Sequence, residues 1–111
     1  MKLRLEKSKI TIRLSTSEIA DFSASKNIEE KVIISDNNHF TFALKICDSC
    51  HKLFAEFKDG GLVLHVPTDD ADQWLNSKRI GIHETTLTND GDNIKLIVEE
   101  DLPRRKSIKK G

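Results

Sequence analysis

The residues best suited to chemistry lie in one short segment, Cys47-Asp48-Ser49-Cys50-His51. Two cysteines three residues apart and followed by a histidine match the spacing of a c-type haem attachment site, where the thiols bond the vinyl groups and the histidine ligates iron. Covalent haem attachment occurs in exported proteins, and residues 1–7 alternate charge with leucine and show no export segment. The sequence therefore argues against haem.

Zinc binding or redox chemistry is a second interpretation of this segment. Cys47, Cys50 and His51 would need a fourth ligand, which another histidine would have to supply. The candidates are His39, His65 and His83. The chain has no second Cys-x-x-Cys pair, so we expect a linker with two reduced thiols and assign neither metal nor cofactor. Replacing both cysteines of a simple linker by serine should change the free energy of unfolding by no more than ~0.5 kcal/mol.

Other titratable residues suggest a small enzyme as an alternative function. Its site would combine His65 and His83 with the aspartates that open the second predicted helix, Asp69, Asp70 and Asp72. Each has a structural explanation. Histidines on strands usually face solvent or form hydrogen bonds, and acidic side chains in the first turn of a helix complement its dipole. We therefore assign no catalytic residue.

The elements that position these residues come from an internal repeat. Residues 1–48 resemble residues 53–100 at a constant offset of 52, with residues 49–52 as linker. The matched pairs include Ile12 with Leu64, Leu14 with Val66, Phe22 with Trp74, Phe42 with Ile94, Leu44 with Leu96 and Ile46 with Val98. Each copy reads strand-strand-helix-strand-strand, because apolar residues alternate along four segments and a helical pattern interrupts them.

Local signals support this order. Ser15 and Glu18 have the spacing of a capping box before a helix at about 16–25, and the second helix is predicted at about 68–77. Neither copy could enclose a core alone, so the two must pack together. We predict an α+β fold with pseudo-two-fold symmetry. Its eight mostly antiparallel strands would form a barrel or a two-sheet sandwich with two short helices.

Length and charge limit the function classes. A chain of 111 residues predicts one domain, here residues 1–103, followed by a flexible basic tail at 104–111. Residues 1–101 hold 13 basic and 18 acidic residues, a net charge of −5, which disfavours nucleic-acid binding. No apolar stretch approaches a membrane span, and the default location is the cytoplasm.

A family resemblance covers residues 1 to 101. It rests on these stretches: Lys2 to Leu5, Ile10 to Ile19, Glu29 to Lys31, Phe40 to Leu44, Val63 to Pro67, Trp74, and Ile97 to Asp101. The chain resembles a family of small bacterial proteins known only as a domain of unknown function. That resemblance implies no assigned active site.

The leading hypothesis is a non-enzymatic binding or interaction domain, with a small-ligand or protein site at the seam between the two copies. Nearly every residue has a structural explanation, and no catalytic set is left over. The alternatives are the His/Asp enzyme and the Cys/His metal protein described above.

Overall fold

The computed structural model describes residues 1–76, 81–88 and 90–101, and within them the chain forms eight strands and two helices. The first half contains β1 (Lys2–Glu6), β2 (Lys9–Leu14), α1 (Thr16–Ser25), β3 (Asn27–Ser35) and β4 (Asn38–Cys47). The second half contains β5 (Phe54–Lys58), β6 (Gly61–Pro67), α2 (Thr68–Asn76), β7 (Gly81–Leu87) and β8 (Asn93–Glu100). The predicted order of elements is confirmed, and the predicted tail at 104–111 lies outside the described residues.

The local signals act as expected. The Ser15 hydroxyl accepts a hydrogen bond from the Glu18 amide, and the Glu18 carboxylate accepts one from the Ser15 amide, so the capping box starts α1. Asn37 has a φ of 61° in the β3–β4 turn, and the β5–β6 turn is built on Asp59 and Gly60 with φ of 54° and 75°. Asn, Asp and Gly tolerate this left-handed region, which tight hairpins require.

The strands form two four-stranded mixed sheets. Sheet I has the order β1-β2-β8-β7 and sheet II the order β3-β4-β6-β5. Each sheet takes one hairpin from each half, and the central pairs, β2–β8 and β4–β6, are parallel. The other four described pairs are antiparallel, so the prediction of mostly antiparallel strands is confirmed, with these two central pairs as the exceptions. Each central pair joins the second strands of two hairpins, and these strands run in the same direction.

The strand registers refine the repeat. Ile12 lies opposite Val98 in sheet I, and Leu64 lies opposite Leu44 in sheet II. Because Leu64 follows Ile12 by 52 residues, the structural equivalent of Leu44 is Val98, which follows it by 54. The uninterrupted offset of 52 must be corrected to 54 for the strands that follow the helices.

One core fills the space between the sheets, and it includes the facing rings of Phe22 and Trp74. Its fully buried side chains come from both sheets, among them Ile12, Leu14, Leu44, Leu64, Leu96, Val66 and Val98. Among the described residues no backbone pairing joins the sheets, so the predicted barrel is not formed and the sandwich alternative is consistent with the structure. The helices found in the described ranges are too short and too polar to cross a membrane.

Candidate functional site

The cysteine segment closes on itself. Cys47 and Cys50 form a disulfide with their Cα atoms 5.6 Å apart, so the expectation of reduced thiols is wrong for this structure. The Thr68 hydroxyl donates to the Asp48 carboxylate over 2.6 Å, which ties the segment to the start of α2. Sulfur atoms joined in a disulfide are not available as thiolate ligands, and the metal hypothesis would require their reduction.

His51 and three aspartates surround a hollow of about 140 Å³ beside the disulfide, the aspartates being Asp48, Asp69 and Asp70. Within residues 1–76, 81–88 and 90–101, no three His, Cys, Asp or Glu side chains are arranged to hold a metal ion. Asp69 and Asp70 lie in the first turn of α2, where negative side chains complement the helix dipole.

The two histidines of the proposed enzyme site lie on different sheets. His65 is on the outer face of sheet II, because its strand neighbours Leu64 and Val66 face the core. His83 is on the outer face of sheet I, next to the buried Ile82. The structure therefore does not bring them together.

His65 instead belongs to a small cluster on sheet II. Its Nε2 atom lies 3.0 Å from Oε1 of Glu56, and its ring stacks on Phe54 with centroids 4.6 Å apart. Both partners come from β5, the edge strand beside β6. These contacts hold β5 against the sheet and mark one end of a larger surface.

That surface is a groove of about 300 Å³ on the outer face of sheet II. Its floor consists of small residues on the two central strands, Thr41 and Ala43 on β4 and Gly61 and Val63 on β6. Charged residues line its rims: Glu29 on β3, Glu56 and Lys58 on β5 and Asp59 in the β5–β6 turn, with Lys45 on β4 at one end of the floor. Lys31 on β3 lies beside the groove, opposite Thr41. The register aligns these as two rows across the sheet: Lys31, Thr41, Gly61, Lys58, and Glu29, Ala43, Val63, Glu56.

The groove exists because the floor side chains are short. A Cβ atom on Gly61 would lie 2.6 Å from the Thr41 hydroxyl, so the glycine keeps this part of the floor low. The outer face of sheet I has large charged residues at its centre. There Arg13 and Glu99 pair across the two central strands, with Nε and Oε2 2.7 Å apart, and the hollow beside them, about 310 Å³, is lined by Lys2, Leu3, Arg4, Thr11 and Arg13.

The groove also crosses the boundary between the halves, because β4 belongs to the first and β6 to the second. A site at this boundary was predicted from the repeat, but its floor residues were not. A usable signal was present. Thr41, Ala43, Gly61 and Val63 alternate with apolar core residues and are small.

A family model matches residues 1–105, and its description is a family of unknown function, DUF7009. No curated protein and no solved structure matches the chain.

Proposed function

The chain belongs to DUF7009, and we propose that it is a non-enzymatic interaction module whose groove on sheet II receives a helix of a protein partner. The observation that carries this proposal is the floor of four small residues between two charged rims. Sheet I differs in its lining: its central strands carry the large charged pair Arg13 and Glu99, and a hollow of about 310 Å³ beside them is lined by Lys2, Leu3, Arg4, Thr11 and Arg13, with no acidic residue.

The dimensions suit a helix. Glu29 and Glu56 lie on strands separated by three strand spacings, about 14 Å in all. An α-helix with its side chains is about 10–12 Å across. Small residues beneath it would let the helix axis approach the sheet closely, and a partner helix with an apolar or small-residue face would remove the half-buried Thr41 and Val63 from water.

The charged residues of the rims determine which side chains the partner helix should carry on its two flanks. Along each rim a lysine and a glutamate are two residues apart, a separation of about 7 Å in a strand. Residues four apart on a helix are separated by about 6 Å, so acidic and basic side chains at i and i+4 can meet the lysine and the glutamate of one rim. The partner should therefore carry acid-base pairs on both sides of its apolar stripe.

A designed peptide tests this. The probe is a helical peptide with an alanine and leucine stripe and glutamate-lysine pairs at i, i+4 on both flanks, and its binding is measured by fluorescence anisotropy. The groove variant Lys31→Glu/Lys58→Glu should weaken binding about tenfold, since each exposed ion pair is worth up to about 1 kcal/mol. The control Lys7→Glu/Lys95→Glu changes net charge equally on sheet I and should leave binding within about twofold.

A second variant tests the floor. Ala43→Arg should abolish binding of the same peptide, because the new side chain would stand between the rims. The proposal is overturned if Lys31→Glu/Lys58→Glu binds the peptide as tightly as the unmodified protein does, or if Ala43→Arg does so. Equal weakening by both double variants would indicate nonspecific charge attraction and would also overturn it.

A further inference from the structure

A further concave site lies at the edge between the two sheets, where β5 of sheet II faces β7 and β8 of sheet I. It is a cleft of about 600 Å³. Its lining consists of Lys52, Phe54, Ala55, Thr85, Thr86, Leu87, Thr88, Ile94 and Leu96. None of these residues lines the groove, so the cleft is a separate site.

Comparison with the first half shows why the cleft is open. The strand registers relate β5 to β1 with an offset of 52, and they relate β7 and β8 to β3 and β4 with an offset of 54. At four equivalent inward-facing positions the second half has the smaller or more polar residue: Ala55 for Leu3, Thr86 for Val32, Ile94 for Phe40, and Leu96 for Phe42. The volume filled by side chains in the first half is thus vacant in the second.

In the first half, Met1 covers the edge that corresponds to the cleft. The Met1 side chain is buried, and its ammonium group forms ion pairs with Glu18 and, over 2.8 Å, with Glu30. Glu30 Oε1 is buried, and the Met1 ammonium is the group that balances its charge. The residue equivalent to Met1 in the second half is the buried Leu53. There the chain arrives from Lys52, so no terminal ammonium group is present.

The lining defines the chemistry of a ligand. Ala55, Ile94 and Leu96 offer an apolar floor, and Lys52 is the one charged residue in the lining. Among the described residues, no carboxylate lies within 4.0 Å of the Lys52 ammonium group. The Thr88 hydroxyl accepts a hydrogen bond from the Asp92 amide, which leaves its own proton for an acceptor.

We propose that this cleft binds a small molecule with an apolar body and one anionic group. The apolar body would cover Ile94 and Leu96, and the anionic group would pair with Lys52. The volume lies within the range of small-molecule sites, which combine an apolar lining with a few polar groups.

Octanoate, 1-octanol and octylamine serve as probes, with binding to the full chain followed by ¹⁵N–¹H NMR titration. Octanoate should shift the amide signals of β5, β7 and β8 that line the cleft, and it should bind more tightly than octanol or octylamine. Lys52→Met should weaken octanoate binding about fivefold and leave octanol binding unchanged, because only the ion pair is lost.

A filled cleft provides the matched control. Ala55→Leu/Ile94→Phe places the first-half residues in the second half and should abolish binding of octanoate and octanol, with native amide dispersion as the check on folding. If that variant unfolds, Lys52→Met still tests the anionic group. Equal affinities for octanoate and octylamine, or no change with Lys52→Met, would overturn the assignment of an anion. Shifts confined to other surfaces would overturn the site.

Discussion

The rings of Phe22 and Trp74 pack against each other with centroids 6.3 Å apart and planes inclined by 49°. Phe22 is the buried residue of α1, and Trp74 is buried on α2. The two residues are 52 positions apart, the offset of the predicted repeat, and the two halves of the chain meet through this aromatic pair in the core.

Trp74→Ala should lower the free energy of unfolding by about 3–5 kcal/mol, since it removes a large buried ring and leaves a cavity beside Phe22. That is a large part of the stability of a small domain. Urea unfolding followed by circular dichroism measures the change. Trp74→Phe keeps most of the ring contact and should cost clearly less. An unchanged midpoint for Trp74→Ala would contradict the buried position.

The disulfide leads to a prediction that depends on redox state. It closes a loop of only four residues, Cys47 to Cys50, so its effect on the unfolded chain should stabilise the protein by at most about 2 kcal/mol. The free energy of unfolding of the variant Cys47→Ser/Cys50→Ser should lie within ~0.5 kcal/mol of that of the reduced protein. Urea titrations with and without dithiothreitol test both statements. A double variant far less stable than the reduced protein would instead indicate a structural role for the thiolates, such as zinc binding.

The ion pair between Met1 and Glu18 should make stability depend on pH. Burial alone would raise the pKa of Glu18, but the Met1 ammonium and the Ser15 amide hold that pKa below its ordinary 4.5. Burial alone would lower the pKa of the Met1 ammonium, but Glu18 and Glu30 hold that pKa above its ordinary 8.0. The carboxylate thus contributes stability that is present above pH 4.5 and is lost as pH falls through its lowered pKa.

The ammonium contributes stability below pH 8.0, which is lost as pH rises through its raised pKa. Glu18→Gln keeps a side-chain oxygen for the Ser15 amide but removes the charge. The difference in melting temperature between this variant and the unmodified protein should be largest between pH 5 and 8 and should shrink on both sides. A difference that stays constant from pH 3 to 10 would show that the ion pair does not contribute.

The fold was largely predictable because its signals are local. The Ser15 capping box, the Asp59-Gly60 turn and the alternating apolar residues each depend on a few neighbouring positions. The pairing of hairpins was not predictable in this way. Which hairpin joins which sheet is decided by packing across the whole core, and strand alternation is the same for parallel and antiparallel partners.

The candidate site was predicted only in outline. The boundary between the halves was proposed as a location, but attention went to His65, His83 and the cysteines because their chemistry is visible in the sequence. The groove exists because Ala43 has a short side chain and Gly61 has none. A short side chain can be recognised as part of a groove only when its cross-strand neighbours are known. The disulfide was missed because compartment, not geometry, was used to assign the thiols' redox state.

The exchange of hairpins between the sheets predicts that neither half folds alone. In a fragment of residues 1–48, β2 would lose β8 and β4 would lose β6, and the fully buried Leu14 and Leu44 would be exposed to water. Two hairpins that belong to different sheets and share one short helix cannot enclose a core. Each fragment, 1–48 and 53–101, should therefore show the circular dichroism and amide dispersion of an unfolded chain.

Mixing the fragments should restore native signals if the central parallel pairs provide most of the association. Burial of the inner faces of β2, β4, β6 and β8 against one another supplies the driving force. Leu64→Asp in the second fragment should prevent recovery, whereas an exposed change such as Lys58→Gln should permit it. A fragment of residues 1–48 with native dispersion by itself would contradict this account, because it would mean that the first half pairs its own hairpins.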